Sequence, residues 1–303
     1  MPATTPPPRL DAPPVRRVAV IFNPAAGRRR HRRLVRVLAE LERRGVVTTL
    51  YATAEGGDAR RLAGGIRGTD CDRLAVAGGD GTINEAINGL ADRDVPLAVI
   101  PLGTANVLAR EIGLASGPKA IARTIVEGRV QSVALGRVNE RRFIAMAGVG
   151  LDAHVVEAVS PRLKRWVGGA AYAIEILHQI VRRRPRHYQV VVDGSVRTAA
   201  SVIVARGRLY GGRFVLAPGA RLDDPRFHVC LFQGERRRDL VRYVAALMLG
   251  RLWRLADVTI VQALQVEIAG PAGEPVQADG ELVARLPALF TIEPDGLRLV
   301  VPR

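Results

Sequence analysis

Five residues, Gly78-Gly79-Asp80-Gly81-Thr82, join an apolar run to a segment of helical spacing. Glycine at such positions lets backbone N–H groups approach an anion with no β-carbon in the way. A helix beginning near Thr82 adds the positive end of its dipole. Together these features make a cradle for phosphate. Asp80 inside the cradle repels a phosphate unless a cation such as Mg2+ accompanies it. The plain alternative is a glycine-rich turn with Thr82 as a helix cap. One strand along, Gly103-Thr104-Ala105-Asn106 repeats the logic, with Thr104 set to donate to a phosphate or to cap a helix. Neither lysine, Lys119 or Lys164, follows a glycine, so the chain has no Walker A loop. A protein-kinase catalytic loop and a GxGxxG at the first helix are missing too. Phosphate binding here runs through another loop design.

The elements that must position these loops follow from periodicity. Residues 15–23 read as a buried strand. Residues 32–45 read as a helix with Leu34, Val37, Leu38 and Leu41 on one face, stopped by Gly45. Residues 46–53 form a strand rich in β-branched side chains. Strands and helices go on alternating to residue 128, which means βαβ units on a parallel sheet. Ligands of such sheets sit at the carboxyl ends of the strands. Those ends carry Asn23 to Gly27, Thr53, Gly78 to Thr82, and Gly103 to Asn106. One glycine-rich turn is weak evidence, but four on one sheet edge converge.

After about residue 130 the pattern changes to short, regularly spaced strands, with "VTIVQALQVEIAG" read as one of them and "LRLVVP" as the last. The expected fold class is α/β plus all-β. A Rossmann-like α/β nucleotide domain covers 15–134, and a β-sandwich-like domain covers 135–303 with a cleft between them. The proline-rich residues 1–14 read as a disordered tail.

The chain of 303 residues is 48% hydrophobic and carries a net charge of +16, nearly all of its base being arginine. Such a surface is drawn to anionic lipid or nucleic acid. Aromatics at 4% leave few stacking platforms, and no recognition motif is present, so nucleic acid is not expected as a partner. Cys71 and Cys230 have neither metal spacing nor a disulfide framework, which fits a reducing cytosol. The N-terminus has no signal-peptide apolar core, and no run is apolar enough to span a bilayer. A cytoplasmic protein, peripheral to the inner face of the membrane, is therefore expected. Segments 161–186 and 235–255 each have basic ends, an apolar middle and one tryptophan. Both suit an anionic membrane interface, or equally packing onto the sandwich.

Six motifs in order, "FNPAAG", "GGDGTINEAING", "PLGTANVLAREIG", "GVGLDAHV", "LAPGARLDDPRFHV" and "QADGE", carry a resemblance. The chain resembles the diacylglycerol kinase catalytic-domain family, in its bacterial soluble lipid-kinase branch, over nearly everything after the tail. The "GGDG" loop alone would not distinguish it, since NAD kinases and phosphofructokinases carry similar ones. The resemblance implies an ATP- and Mg2+-dependent kinase acting on a hydroxyl of a diacylglycerol-like or sphingoid lipid at a membrane surface. It implies ATP contacts at Asn23, Pro24, Ala25, Ala26, Gly27, Thr53, Gly78, Gly79, Asp80, Gly81, Thr82, Ile83, Asn84 and Thr104. Glu281 of "ADGE" matches the family's general base, which suits a lipid hydroxyl that must lose its proton as the γ-phosphoryl group arrives. On the residues alone, Glu281 also reads as a hairpin residue facing solvent. Asp80 matches an acid linked to metal.

"ARLDDPRF" resembles the family's structural magnesium loop. Its ligands carry over to the Asp224 carboxylate and the Arg221 and Arg226 carbonyls, with Asp223 in a water network toward Asp80. Two residues depart from the pattern: Val107 stands where many members have Asp, and Pro225 where a glycine is usual. An NAD-kinase-type enzyme with a soluble substrate and a non-catalytic nucleotide- or lipid-binding protein are the alternatives. No motif encodes the oligomeric state, and a homodimer is one of the assemblies left open.

Overall fold

The structure, a computed structural model, describes residues 14–24, 28–158 and 186–303. Four strands, β1 (Arg17–Phe22), β2 (Val47–Ala52), β3 (Arg73–Gly78) and β4 (Leu97–Pro101), lie parallel in the order β2-β1-β3-β4. β3 and β4 are buried on both faces, as continuous apolar runs require in a covered parallel sheet. Helix α1 (Arg28–Glu42) seats Leu34, Val37 and Leu41 against one face together with α5 (Pro118–Glu127). The other face is covered by α2 (Asp58–Gly65) and α3 (Asp80–Gly89), and α4 (Val107–Glu111) follows β4. Each crossover returns the chain so that the loops after β1, β3 and β4 emerge on one edge.

The rest is two facing sheets. In chain order come β5 (Arg129–Val138), β6 (Arg141–Phe143), β7 (Met146–Val149), α6 (Leu151–Ala158), β8 (Tyr188–Val192), β9 (Ser195–Ala199) and β10 (Ser201–Ala205). Then follow β11 (Leu209–Tyr210), β12 (Phe214–Val215), β13 (Phe227–Phe232), α7 (Arg237–Met248), β14 (Val258–Ala263) and β15 (Gln265–Ala269). β16 (Pro275–Ala278), β17 (Glu281–Arg285) and β18 (Ala288–Val301) end the chain. One antiparallel sheet runs β14-β13-β10-β7-β16-β17. Its inner residues, among them Val149, Val204, Phe227 and Val229, meet Tyr188, Val190, Val266 and Phe290 from the second sheet. The α/β unit and the sandwich are the two fold types that the sequence leads one to expect.

Two features differ from the sequence reading. The run "VTIVQALQVEIAG" is two strands in two sheets, parted at Leu264. The cause is remote: the Asp193 carboxylate, in the β8–β9 turn, accepts the N–H groups of Leu264 and Gln265 and pulls the chain across. The final strand is also longer than "LRLVVP" and belongs to both halves. The first part of β18 pairs with β15, and its end runs parallel to β4, joining both halves in one ten-stranded sheet. Leu297, Leu299 and Val301 thereby enter the core of the α/β unit. Among the described residues, no helix is long and apolar enough to cross a membrane.

Candidate active site

The loops after β3 and β4 touch through glycine. A β-carbon on Gly103 would lie 2.7 Å from the Gly79 α-carbon, so only bare backbone fits between them. Asn106 holds the second loop in shape. It takes a left-handed backbone (φ 49°) and bonds the Gly103 N–H and C=O with its own amide, at 2.7 and 2.9 Å. Gly79 is the N-cap of α3 and supplies no side-chain cap, which leaves first-turn N–H groups for an anion. Thr82 folds back over Gly78.

Asp80 has a job that the sequence did not reveal. Its Oδ1 accepts the Val107 N–H at 2.7 Å, so it caps α4 from the neighbouring loop and ties the two loops together. Burial pushes its pKa up, while the N–H groups at the start of α4 oppose the shift. Because Val107 contributes its backbone here, its apolar side chain costs this contact nothing.

The other expected nucleotide contacts divide by position. The Asn23 N–H prolongs the β1–β3 ladder to Ala77, and Thr53 is buried at the end of β2. Pro24 is exposed, and Ala25, Ala26 and Gly27 lie outside the described residues. Thr104 is exposed, and Arg30 of α1 donates to its hydroxyl at 3.2 Å. Arg30 is a cation that sequence reasoning missed; the arginine run directly after "NPAAG" was its signal. Ile83 and Asn84 are buried, each 1% exposed.

Glu281 enters from the other half of the chain. Its Oε1 stands over Gly81, where a β-carbon would come within 3.1 Å, and Arg141 pairs with its Oε2 at 3.4 Å. The presenting turn is Asp279-Gly280, with φ of 48° and 81°, the two-residue reversal with positive φ at both centres. The Asp279 carboxylate anchors that turn by accepting the N–H groups of Ile144, Ala145 and Met146 at 2.8 to 3.0 Å. On the facing side Asn88 of α3 exchanges two hydrogen bonds with the Arg142 backbone, as a strand would. Glu111 of α4 likewise accepts the N–H groups of Arg208 and Leu209. Both halves are thus locked together around the loops.

Burial pushes Asp279 up to about 6 from 3.8, outweighing its three N–H donors, and the Asp80 charge adds to the shift. A carboxyl raised by folding binds more protons in the native state. Its stabilising contribution is full below its unfolded pKa and is lost as pH rises through about 6. Urea unfolding is therefore expected to give a wild-type advantage over Asp279→Asn that shrinks between about pH 4 and pH 6. An advantage independent of pH over that window would refute the assignment.

Two family models match the chain: "Diacylglycerol kinase catalytic domain" over residues 17–138 and "YegS C-terminal NAD kinase beta sandwich-like domain" over 145–301. A diacylglycerol kinase of Mycobacterium tuberculosis is 31% identical, covering 95% of this chain and 96% of its own. The chain belongs to the diacylglycerol kinase family. One of Staphylococcus carnosus is 30% identical at 95% and 96% coverage. A crystal structure of a diacylglycerol kinase from Bacillus anthracis superposes with a TM-score of 0.78 over 95% of this chain and 97% of that one, at 23% identity. That likeness concerns the fold. As a member of this kinase family, the chain is a phosphotransferase that uses ATP.

The loop that the resemblance gives to a structural magnesium ion has other partners. The Asp224 carboxylate takes both its oxygens to the Arg226 guanidinium at 3.0 Å, and Asp223 does the same with Arg221 at 2.9 Å. The Arg221 carbonyl accepts the Asp224 N–H, and the Arg226 carbonyl accepts from Arg206 at 2.5 Å. These carbonyls and carboxylates already serve cationic or N–H donors, with a buried positive charge among them. They do not fit a divalent cation. The phosphate loops, lined by backbone and closed by glycine, do fit a nucleotide.

Proposed function

We propose that this kinase transfers the γ-phosphoryl group of ATP to a hydroxyl of a diacylglycerol-like or sphingoid lipid, with Glu281 as general base. The observation that carries this reading is the meeting of Glu281 Oε1 with Gly81 of the phosphate loop. A carboxylate there can take the proton of the attacking hydroxyl while the loop N–H groups hold the phosphates. Arg30 and the first turn of α3 meet the negative charge of the nucleotide, and Asp80 keeps the two loops in register. Magnesium, when bound with ATP, neutralises phosphate charge, and Asp80 is the acid of the loop that can face it. The diacylglycerol-like acceptor follows the names of the relatives in Mycobacterium tuberculosis and Staphylococcus carnosus.

Helix α7 supports a membrane-facing site. Leu240, Tyr243 and Ala246 are buried, while Val241, Met248 and Leu249 are 51%, 65% and 72% exposed among Arg237, Arg238, Arg242 and Arg251. An apolar face set in arginine suits an anionic bilayer. The companion segment 161–186 falls, up to residue 185, outside the described residues. Met248→Glu with Leu249→Glu is expected to weaken co-sedimentation with phosphatidylglycerol vesicles at least tenfold, since each change places a charge on the apolar face. Turnover of a detergent-dispersed lipid should stay unchanged.

The assignment is tested with γ-labelled ATP offered in parallel to diacylglycerol, sphingosine, a total lipid extract and NAD. Label in a lipid supports the reading. Label in NAD alone, or ATP binding with no acceptor, overturns it.

A further inference from the structure

Arg206, at the end of β10, is completely buried. Its guanidinium makes four hydrogen bonds, all to backbone carbonyls: Ala134 at 3.2 and 3.3 Å, Leu222 at 2.8 Å and Arg226 at 2.5 Å. Two of the three carbonyls belong to the loop 220–227, and the third to β5, which the loop covers. Among the described residues, none forms an ion pair with Arg206. The charges of Asp224 and Asp223 act on it through space. An unpaired buried charge is costly unless something compensates it. Here three carbonyl dipoles and two nearby carboxylates do so, which is the ligand chemistry of a hard cation.

We propose that the Arg206 guanidinium is the resident cation of the loop 220–227, in the place that the family resemblance gives to magnesium, so that the loop is held without a divalent ion. Three observations converge. The Arg226 carbonyl, one of the three expected metal ligands, already accepts from Arg206. Asp224, the second, is committed side-on to Arg226. A divalent ion on the Arg226 oxygen would lie beside a buried like charge and be repelled. Pro225 suits the same picture. Its fixed φ stiffens a turn whose shape is set by hydrogen bonds rather than by coordination. The guanidinium is also permanently charged, so the arrangement does not depend on metal supply. Its role is positioning: it sets the loop against β5 and takes no part in proton or phosphoryl transfer.

The test is thermal unfolding of the full chain without nucleotide, so it reads the loop rather than phosphotransfer. A failure of the lipid-kinase reading and a failure of this one are therefore distinguishable. Wild-type Tm is expected to be the same in EDTA and in millimolar MgCl2. A bound structural ion at a hundredfold excess over its Kd would instead raise Tm by roughly 4 °C, and a saturable rise of that size overturns the proposal. Arg206→Asn removes the charge and frees the carbonyls. It is expected to lower Tm and to regain part of it, saturably, with MgCl2. A folded Arg206→Asn with wild-type Tm, or with no response to MgCl2, overturns the exchange. Should that variant not fold, Arg206→Lys keeps the charge without the fork, and is expected to fold and to ignore MgCl2. Dependence of Arg206→Lys on MgCl2 counts against the proposal.

Discussion

Glu281→Gln is expected to lower kcat by about 10²–10⁴ while leaving ATP affinity in place. The amide keeps the shape of the side chain and its place over Gly81, but it cannot accept a proton from a hydroxyl. The paired Arg141 at 3.4 Å is partly exposed, as is Glu281, so losing that ion pair costs at most about 1 kcal/mol. Stability and nucleotide binding therefore act as internal controls. Steady-state kinetics with a lipid acceptor, together with ATP titration by fluorescence, separate the two effects. Wild-type turnover in the variant would remove Glu281 from the chemistry and return it to the solvent-facing hairpin role that the residues alone also allow.

The second large effect is steric. Gly103→Ala places a methyl group 2.7 Å from the Gly79 α-carbon and 2.9 Å from Asn106 Oδ1. Both neighbours are fixed, one as backbone and the other by its two hydrogen bonds with the Gly103 backbone. The two loops must part, at a cost of about 1–3 kcal/mol. ATP affinity is expected to fall at least tenfold, since the loops bind one ligand jointly, and Tm should fall with it. Gly65→Ala is the control, because nothing lies within 4 Å of the added carbon. It should leave ATP binding unchanged. An affinity loss confined to Gly103→Ala ties nucleotide binding to the contact between the loops. Equal ATP binding by both variants would place the nucleotide elsewhere.

What was legible in the sequence was local. The glycine, threonine and asparagine at the strand ends mark turns by their own backbone preferences, and α1 announces its buried face through Leu34, Val37 and Leu41. What escaped depends on contacts between residues far apart. Asp193 splits an unbroken alternating run at Leu264, and nothing within that run signals it. Arg206 reads as one basic residue among many until the fold buries it under Leu222 and Arg226. Asp80 reads as an acid beside phosphate, yet its partner N–H is carried by Val107, a residue notable in the sequence only for lacking a carboxylate. The motif suggested the chemistry of a magnesium loop, but the side chains around it supply their own cation.

The path of β18 bears on how the molecule is made. Leu297, Leu299 and Val301 complete the core of a sheet whose first strand begins at Arg17. On a ribosome, that sheet stays open at β4 until the end of β18 has emerged. The nucleotide-binding half therefore cannot reach its final state as an early-folding unit. The pairing of Leu97 with Leu299 closes a loop of about 200 residues, a slow kind of step. Until then the β4 edge is a bare parallel strand, the sort of surface that recruits the wrong neighbour.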